Sequence, residues 1–187
     1  MQNSKTAIFK TSNAPIFNLK NSLQVLEHLL VYFIMTFSEN KIAECIIRSK
    51  IGLETLVSSA FTSILSMKIQ DAGKIAQIRI AIHEACINAM EHGNGFDANK
   101  MITCEIFEEP NMLSIHIHDE GNKSYLPDPS NLPTKEEMQQ KIEKAGRRNK
   151  QNRGMGRFLI HYFADEVEYL VSPSKGTCIV LKTYIDE

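Results

Sequence analysis

The stretch Gln77–Gly93, QIRIAIHEACINAMEHG, constrains this chain more than any other, because polar groups recur in it at helical spacing inside an otherwise apolar run. The spacing predicts a helix whose core-facing stripe is Ile78, Ile82, Ala85 and Ala89. Glu84 and Asn88 then fall four residues apart, so a carboxylate and an amide project side by side, one turn from each other. A buried helix that carries these groups and then His92-Gly93 holds desolvated polar atoms that need partners. A metal ion and a polyphosphate would supply them. An amphipathic helix with a wet polar face gives the same pattern, so the rest of the chain has to decide.

At 187 residues the chain fits one domain with some extra material. Its 21 basic and 22 acidic side chains nearly cancel, so no overall field draws it to nucleic acid or to an anionic membrane. The four cysteines, Cys45, Cys86, Cys104 and Cys178, lie far apart in apolar segments with no CxxC pair. They read as reduced core residues of a cytoplasmic protein, not as a disulfide framework or a structural zinc set. The apolar run Leu29–Phe37 is too short to span a bilayer, which takes about 20 residues, and no small-residue cleavage site follows it.

Residues 1–20 read as a loose, polar N-terminal arm, and Asn21–Phe37 as a helix capped by Asn21 or Ser22. Glu44–Ser49 suits a short strand. Leu53–Ile69 repeats apolar residues at three and four and reads as an amphipathic helix, broken by Asp71-Ala72-Gly73. Gly93-Asn94-Gly95 ends the organising helix with left-handed stop chemistry. Met101–Phe107 and Leu113–His118 alternate with period two and form a hairpin through Glu109-Pro110-Asn111. The second of these strands runs directly into Asp119-Glu120-Gly121, a carboxylate presented from a rigid support.

From Tyr125 to Arg153 the character changes: prolines, a polar helical segment at Lys135–Lys144, then the basic run GRRNKQNRG. Such a run also suits a plain solvated surface, but an insertion of this length in a compact domain is more often a functional lid. Gly154-Met155-Gly156 opens a helix over Arg157–Asp165, and glycines at a helix start let a phosphate reach free backbone N–H groups. A final hairpin, Val167–Val171 and Thr177–Ile185, turns at Pro173-Ser174-Lys175-Gly176. His116 and His118 alternate on one strand face with no Cys or carboxylate paired to them in sequence, so a metal site there is not expected.

ExxxN on a helix, DxG after a strand and GxG before a helix thus stand in a fixed order, and their conjunction is far more specific than any one of them. HEACINAMEHG resembles the N box of GHKL-type ATPases, HDEG their first glycine box, and NRGMGRFLIHYFADEVEY their second. Within that superfamily the EAxxNAxxHG form, the xDEVEY ending and the KGTxIxL final strand resemble the bacterial anti-sigma factor serine/threonine kinases. The resemblance covers about residues 42–187, leaving the arm and helix of 1–41 outside, with an ATP lid at about 122–153.

This resemblance implies a Bergerat fold, a two-layer α/β (α+β) sandwich with helices on one face of a mixed, mainly antiparallel sheet. It also implies ATP and Mg²⁺ as cofactors. Asn88 matches the Mg²⁺-coordinating asparagine and Glu84 the candidate general base. Asp119 matches the carboxylate that accepts from the adenine amino group, Gly121 the glycine against which the base lies, and Thr177 a hydroxyl that helps fix it. Gly154 and Gly156, with the backbone at Met155 and Arg157, match the phosphate loop, and Arg153 is the candidate lid cation. Lys123 departs from the DxGxG form, and Arg157 stands where an apolar residue or glycine is more usual.

The implied function is a protein kinase that phosphorylates a STAS-type anti-anti-sigma partner and sequesters a sigma factor, with a homodimer compatible and no direct contact to nucleic acid or membrane. The alternative is a non-catalytic ATP-binding module acting through protein contacts. A sensor histidine kinase fits less well, because no two-helix unit with a phosphoacceptor histidine precedes the domain.

Overall fold

The computed structural model describes residues 40–121, 134, 136–137, 140, 155–172 and 176–185, and the backbone of residues 32–34. Six strands form one sheet: β1 (Tyr32–Ile34), β2 (Lys41–Arg48), β3 (Met101–Glu109), β4 (Met112–His118), β5 (Glu166–Ser172) and β6 (Gly176–Tyr184). Their order is β1-β2-β3-β4-β6-β5, and every pairing among them is antiparallel. Three helices cover one face: α1 (Leu53–Leu65), α2 (Ala72–Asn88) and α3 (Gly156–Phe163). This is the two-layer α+β sandwich that the family resemblance implies, with the sheet antiparallel throughout the described strands where a mixed, mainly antiparallel one was expected.

Register and alternation place the core. Cys45, Cys104, Ile117 and Ile179 stand opposite one another across β2, β3, β4 and β6, and Ala43, Ile106, Ile115 and Leu181 form the next row. Both rows are buried and face the helices, because successive strand residues point to opposite sides. Onto them α1 lays Val57, Phe61 and Leu65, and α2 lays Ile78, Ala81, Ile82 and Ala85. The four cysteines are free and buried, as expected. Burial, with Cys86 nearby, pushes the Cys45 thiol up to about 12, which leaves it protonated and inert.

Helix α2 starts at Ala72, because the Asp71 carboxylate caps it by accepting from the N–H groups of Gly73 (2.7 Å) and Lys74 (3.2 Å). Asp71-Ala72-Gly73 is therefore the first turn of the organising helix as well as the end of the connection from α1. At its far end α2 widens into a π-helical turn, Ala89–Gly93, with the Asn94 N–H donating to the Ala89 carbonyl at 2.9 Å. Gly95 then takes the left-handed conformation, φ 64°.

The helix expected over Asn21–Phe37 does not hold where the structure describes that segment: Tyr32–Ile34 is a strand that pairs with Glu44–Ile46 of β2. Aromatic and β-branched residues favour a pleated surface, and the open edge of β2 offers unpaired backbone groups, so sheet pairing prevails over helical spacing. The rest of that segment, and the N-terminal arm, lie outside the described residues. Within the expected lid, Glu136, Glu137 and Gln140 are helical. Thr134 and Glu137 cap that start reciprocally, each side chain accepting from the other's backbone N–H.

Two isoleucines of α2 test the packing. Ile82 is fully buried and Ile80 is 40% exposed. Ile82→Ala is expected to cost about 2–5 kcal/mol of unfolding free energy in urea titrations, and Ile80→Ala no more than about 0.5 kcal/mol. Equal losses would contradict the orientation of α2.

Candidate functional site

The site forms where α2 ends, β4 ends and β6 begins. Asp119 follows the last residue of β4, and its backbone N–H donates to the Thr177 carbonyl (2.9 Å), which continues the β4–β6 ladder by one step. Its carboxylate is buried, and Oδ1 accepts from the N–H groups of Gly121 (2.8 Å) and Thr177 (3.1 Å). Two backbone donors satisfy one oxygen of a desolvated anion and fix the plane of the carboxylate.

Three glycines let the surrounding backbone approach. A Cβ on Gly93 would overlap the Asp119 carboxyl, one on Gly121 would overlap the Gly93 carbonyl and Asp119 Oδ1, and one on Gly176 would overlap the Asp119 carbonyl oxygen. Gly176 also has φ +80°, which side chains rarely adopt. Asn94, buried at the end of the π-helical turn, locks the arrangement: its Oδ1 accepts from the Glu120 N–H (2.8 Å) and its Nδ2 donates to the Met101 carbonyl (3.0 Å). Glu120 in turn accepts from the Met101 N–H at 2.8 Å.

These elements enclose a cleft lined by Asn88, Ala89, His92, Gly93, Asp119, Arg157, Tyr169, Thr177 and Ile179, with about 380 Å³ of empty space that includes its open mouth. The structure thus brings Asn88, Asp119, Arg157 and Thr177 together, with Gly121 holding Asp119 from behind. Gly156, the first residue of α3, sits directly over the polar turn of α2: a Cβ there would lie 2.5 Å from Glu84 Oε2 and 3.7 Å from Asn88 Oδ1. Met155 precedes it, half-buried. Arg153, Gly154 and Lys123 lie outside the described residues, as does most of the lid.

Glu84 does not line this cleft. It lies at the end of a second groove, between α1 and α2, bordered by Thr55, Ser58, Thr62, Arg79 and His83. Burial raises the Glu84 carboxyl above its ordinary value, and His83 beside it pulls the other way. Glu84 and Asn88, one turn apart, therefore stand between two concavities, with Gly156 closing over both.

Sequence reasoning missed Tyr169, Ile179, Ala89 and the cleft-lining place of His92, and it read Gly93 and Gly176 as a helix stop and a turn. Ala89, His92 and Gly93 lie inside the N box, Tyr169 inside the DEVEY ending, and Gly176 and Ile179 inside the KGTxIxL strand, so each stood in a motif; their convergence on one cleft is set by tertiary approach. Replacing glycines separates approach from backbone conformation. Gly95, with φ +64° and nothing near a built Cβ, should cost about 1 kcal/mol as Ala in denaturant titrations. Gly176→Ala adds an overlap with Asp119 and should cost roughly 1–3 kcal/mol more.

The sequence model of the family described as histidine kinase-like ATPase domain matches residues 49–183, well over half the chain. The chain is also similar to the anti-sigma F factors of Bacillus thuringiensis (strain Al Hakam), Bacillus mycoides (strain KBAB4) and Bacillus cereus (strain AH187). It is 29% identical to each over 115 residues, which is 60% of this chain and 70% of the relative. These matches bear out the resemblance to the GHKL anti-sigma factor kinases. A cleft reached by glycines, a helix carrying ExxxN and a match that spans all three helices and four of the six strands, β3 to β6, converge: the chain belongs to the histidine kinase-like ATPase domain family.

Proposed function

We propose that the chain is an ATP-dependent protein serine/threonine kinase that acts as an anti-sigma factor, phosphorylating a STAS-type anti-anti-sigma protein and sequestering a sigma factor. The observation that carries this reading is the position of Glu84, one turn from Asn88 and under Gly156, with the ATP cleft on one side and an open groove on the other. A general base that also lines a route for a second molecule suits transfer to a protein hydroxyl better than transfer to water alone. The names of the similar Bacillus proteins support the sigma-factor partner. In this reading residues 42–187 are the kinase domain, 122–153 the ATP lid, and a homodimer is the working assembly. Among the described residues no helix is long and apolar enough to cross a membrane, and the free cysteines suit a cytoplasmic location.

Each residue then has a task. Asp119, oriented by the Gly121 and Thr177 N–H groups, accepts from the adenine amino group, and Thr177 adds its hydroxyl. The N–H groups at Gly154, Met155, Gly156 and Arg157 and the Arg153 side chain meet the phosphates at the start of α3. The donor set fits Mg²⁺: Asn88 offers a neutral oxygen, suited to a hard cation that keeps most of its ligands as water and phosphate. When bound, the ion supplies neutralisation of phosphate charge. Glu84 takes the proton from the incoming serine hydroxyl, and its raised pKa brings it closer to working pH, where a base is most effective.

The test is incubation with labelled ATP and a STAS-domain protein. Glu84→Gln is expected to lower transfer by about 10²–10⁴-fold while ATP affinity stays within about threefold of the parent. For the parent the rate should rise with pH through an inflection above the ordinary carboxylate range, and that inflection should be missing in the variant. Equal rates would contradict the role of Glu84, and absence of transfer by the parent would favour the non-catalytic module. Asp119→Asn should weaken ATP binding by roughly 10–100-fold, the value of a hydrogen bond to a charged group, as read by calorimetry.

The raised pKa of Glu84 also has a consequence for stability. Above the raised value the folded protein carries the cost of a partly desolvated anion; that cost fades as pH falls from the raised value to the ordinary carboxylate value and is gone below it. Glu84→Gln should therefore raise the urea midpoint at pH 7, and the gain should shrink toward pH 4. A lower midpoint at pH 7 would show that the carboxylate stabilises the fold.

A further inference from the structure

The sheet face turned away from the helices carries a second cluster of chemistry. Alternation along β4 puts His116 and His118 on that face, and the β4–β6 register sets Cys178 directly opposite His118. The β3–β4 register sets Glu105 opposite His116. No Cys or carboxylate is paired to these histidines in sequence, and the sheet supplies both from strands distant in sequence.

The ligand atoms of His116, His118 and Cys178 lie within 4.8 Å of one another, the one such group of three among the described residues. His118 Nε2 lies 3.6 Å from Cys178 Sγ and 3.1 Å from Glu105 Oε2. A tetrahedral ion with Zn–N of about 2.0–2.1 Å and Zn–S of about 2.3 Å needs an N···S separation of about 3.6 Å, so that pair already stands at ligand spacing. The Phe107 ring, 4.6 Å from the His116 ring between centroids, holds the third ligand. Cys178 is 5% exposed, whereas the histidines are half-buried, so the cluster is anchored in the sheet and open on one side.

We propose that His116, His118 and Cys178 form a binding site for a divalent zinc-class ion on the outer face of the sheet, with Glu105 supplying negative charge beside it. Imidazole and thiolate donors suit zinc and discriminate against Mg²⁺, so this site does not compete for the ion of the ATP cleft. Binding requires the Cys178 thiolate, whose proton leaves to solvent, and both imidazoles unprotonated on the liganding nitrogen. The ion would cross-link β4 to β6 immediately behind Asp119 and Thr177. The histidines and the cysteine sit on adjacent strands of one sheet, so little ordering opposes binding.

The test uses the untagged full-length chain stripped with chelator, titrated with Zn²⁺ against a chromophoric competitor and separately with Co²⁺. The expected result is one ion per chain, a sulfur-to-cobalt charge-transfer band, and a melting temperature that rises with Zn²⁺. Cys178→Ser should abolish the band. Cys178→Ser and His116→Gln should each weaken Zn²⁺ binding by more than the roughly 10–100-fold typical of outer-shell partners. Circular dichroism and ATP affinity of both variants establish that they are folded, and if one is not, the other carries the test. Absence of the cobalt–sulfur band in the parent, or parental Zn²⁺ affinity in a folded variant, would overturn the proposal and leave the cluster as a hydrogen-bonded patch of the sheet.

Discussion

A carboxylate buried at a strand end is the constraint on which the rest of the site depends. Asp119 can sit there only because two backbone N–H groups meet its Oδ1 and because Gly93, Gly121 and Gly176 leave room for three chain segments to close around it. An unpaired buried anion would be expelled or neutralised. The donors come from the loop after β4 and from the start of β6, so holding the carboxylate also fixes the junction of the two central strands. Asn94 extends the same lock to the end of α2 through Glu120 and Met101. The floor of the cleft and the end of its principal helix are therefore one hydrogen-bonded unit.

Helix α2 links that unit to the chemistry. Its apolar side is buried in the sheet, which leaves Glu84 and Asn88 at its junction with α3, where Gly156 approaches within side-chain reach. A side chain at 156 would push α3 away from the polar turn and open the cleft. The π-helical turn that follows Asn88 adds one residue per turn over Ala89–Gly93 and brings Gly93 against Asp119. Such bulges recur at functional sites because they re-aim a helix end without breaking it.

Much of this was legible in the sequence, because the helices and strands are amphipathic and the site residues stand in motifs. The periods of α1, α2, β3 and β4 follow from burial of one face, and Asn88, Asp119 and Thr177 lie at the ends of such elements, where side chains can be presented without losing core. What escaped detection depends on contacts between distant segments. Tyr32–Ile34 reads as helix because spacing ignores the open edge of β2, to which it pairs. Gly176 reads as a turn residue, since nothing local reports that Asp119 stands against it. Cys178 and His118 share no sequence signal, being 60 residues apart, and only the β4–β6 register makes them neighbours. Asp71 reads as a breaker because a cap and a break have the same composition.

The account rests on three separated segments closing around one nucleotide. Hydrogen exchange of the full chain with and without ATP and Mg²⁺ tests this most directly, because exchange reports local opening segment by segment. The account predicts that nucleotide slows exchange together in three places: the end of α2 through Asn94, the Asp119–Gly121 loop with the start of β6, and the first turn of α3. Protection confined to one of these, or located only on the outer face of the sheet, would contradict a shared cleft.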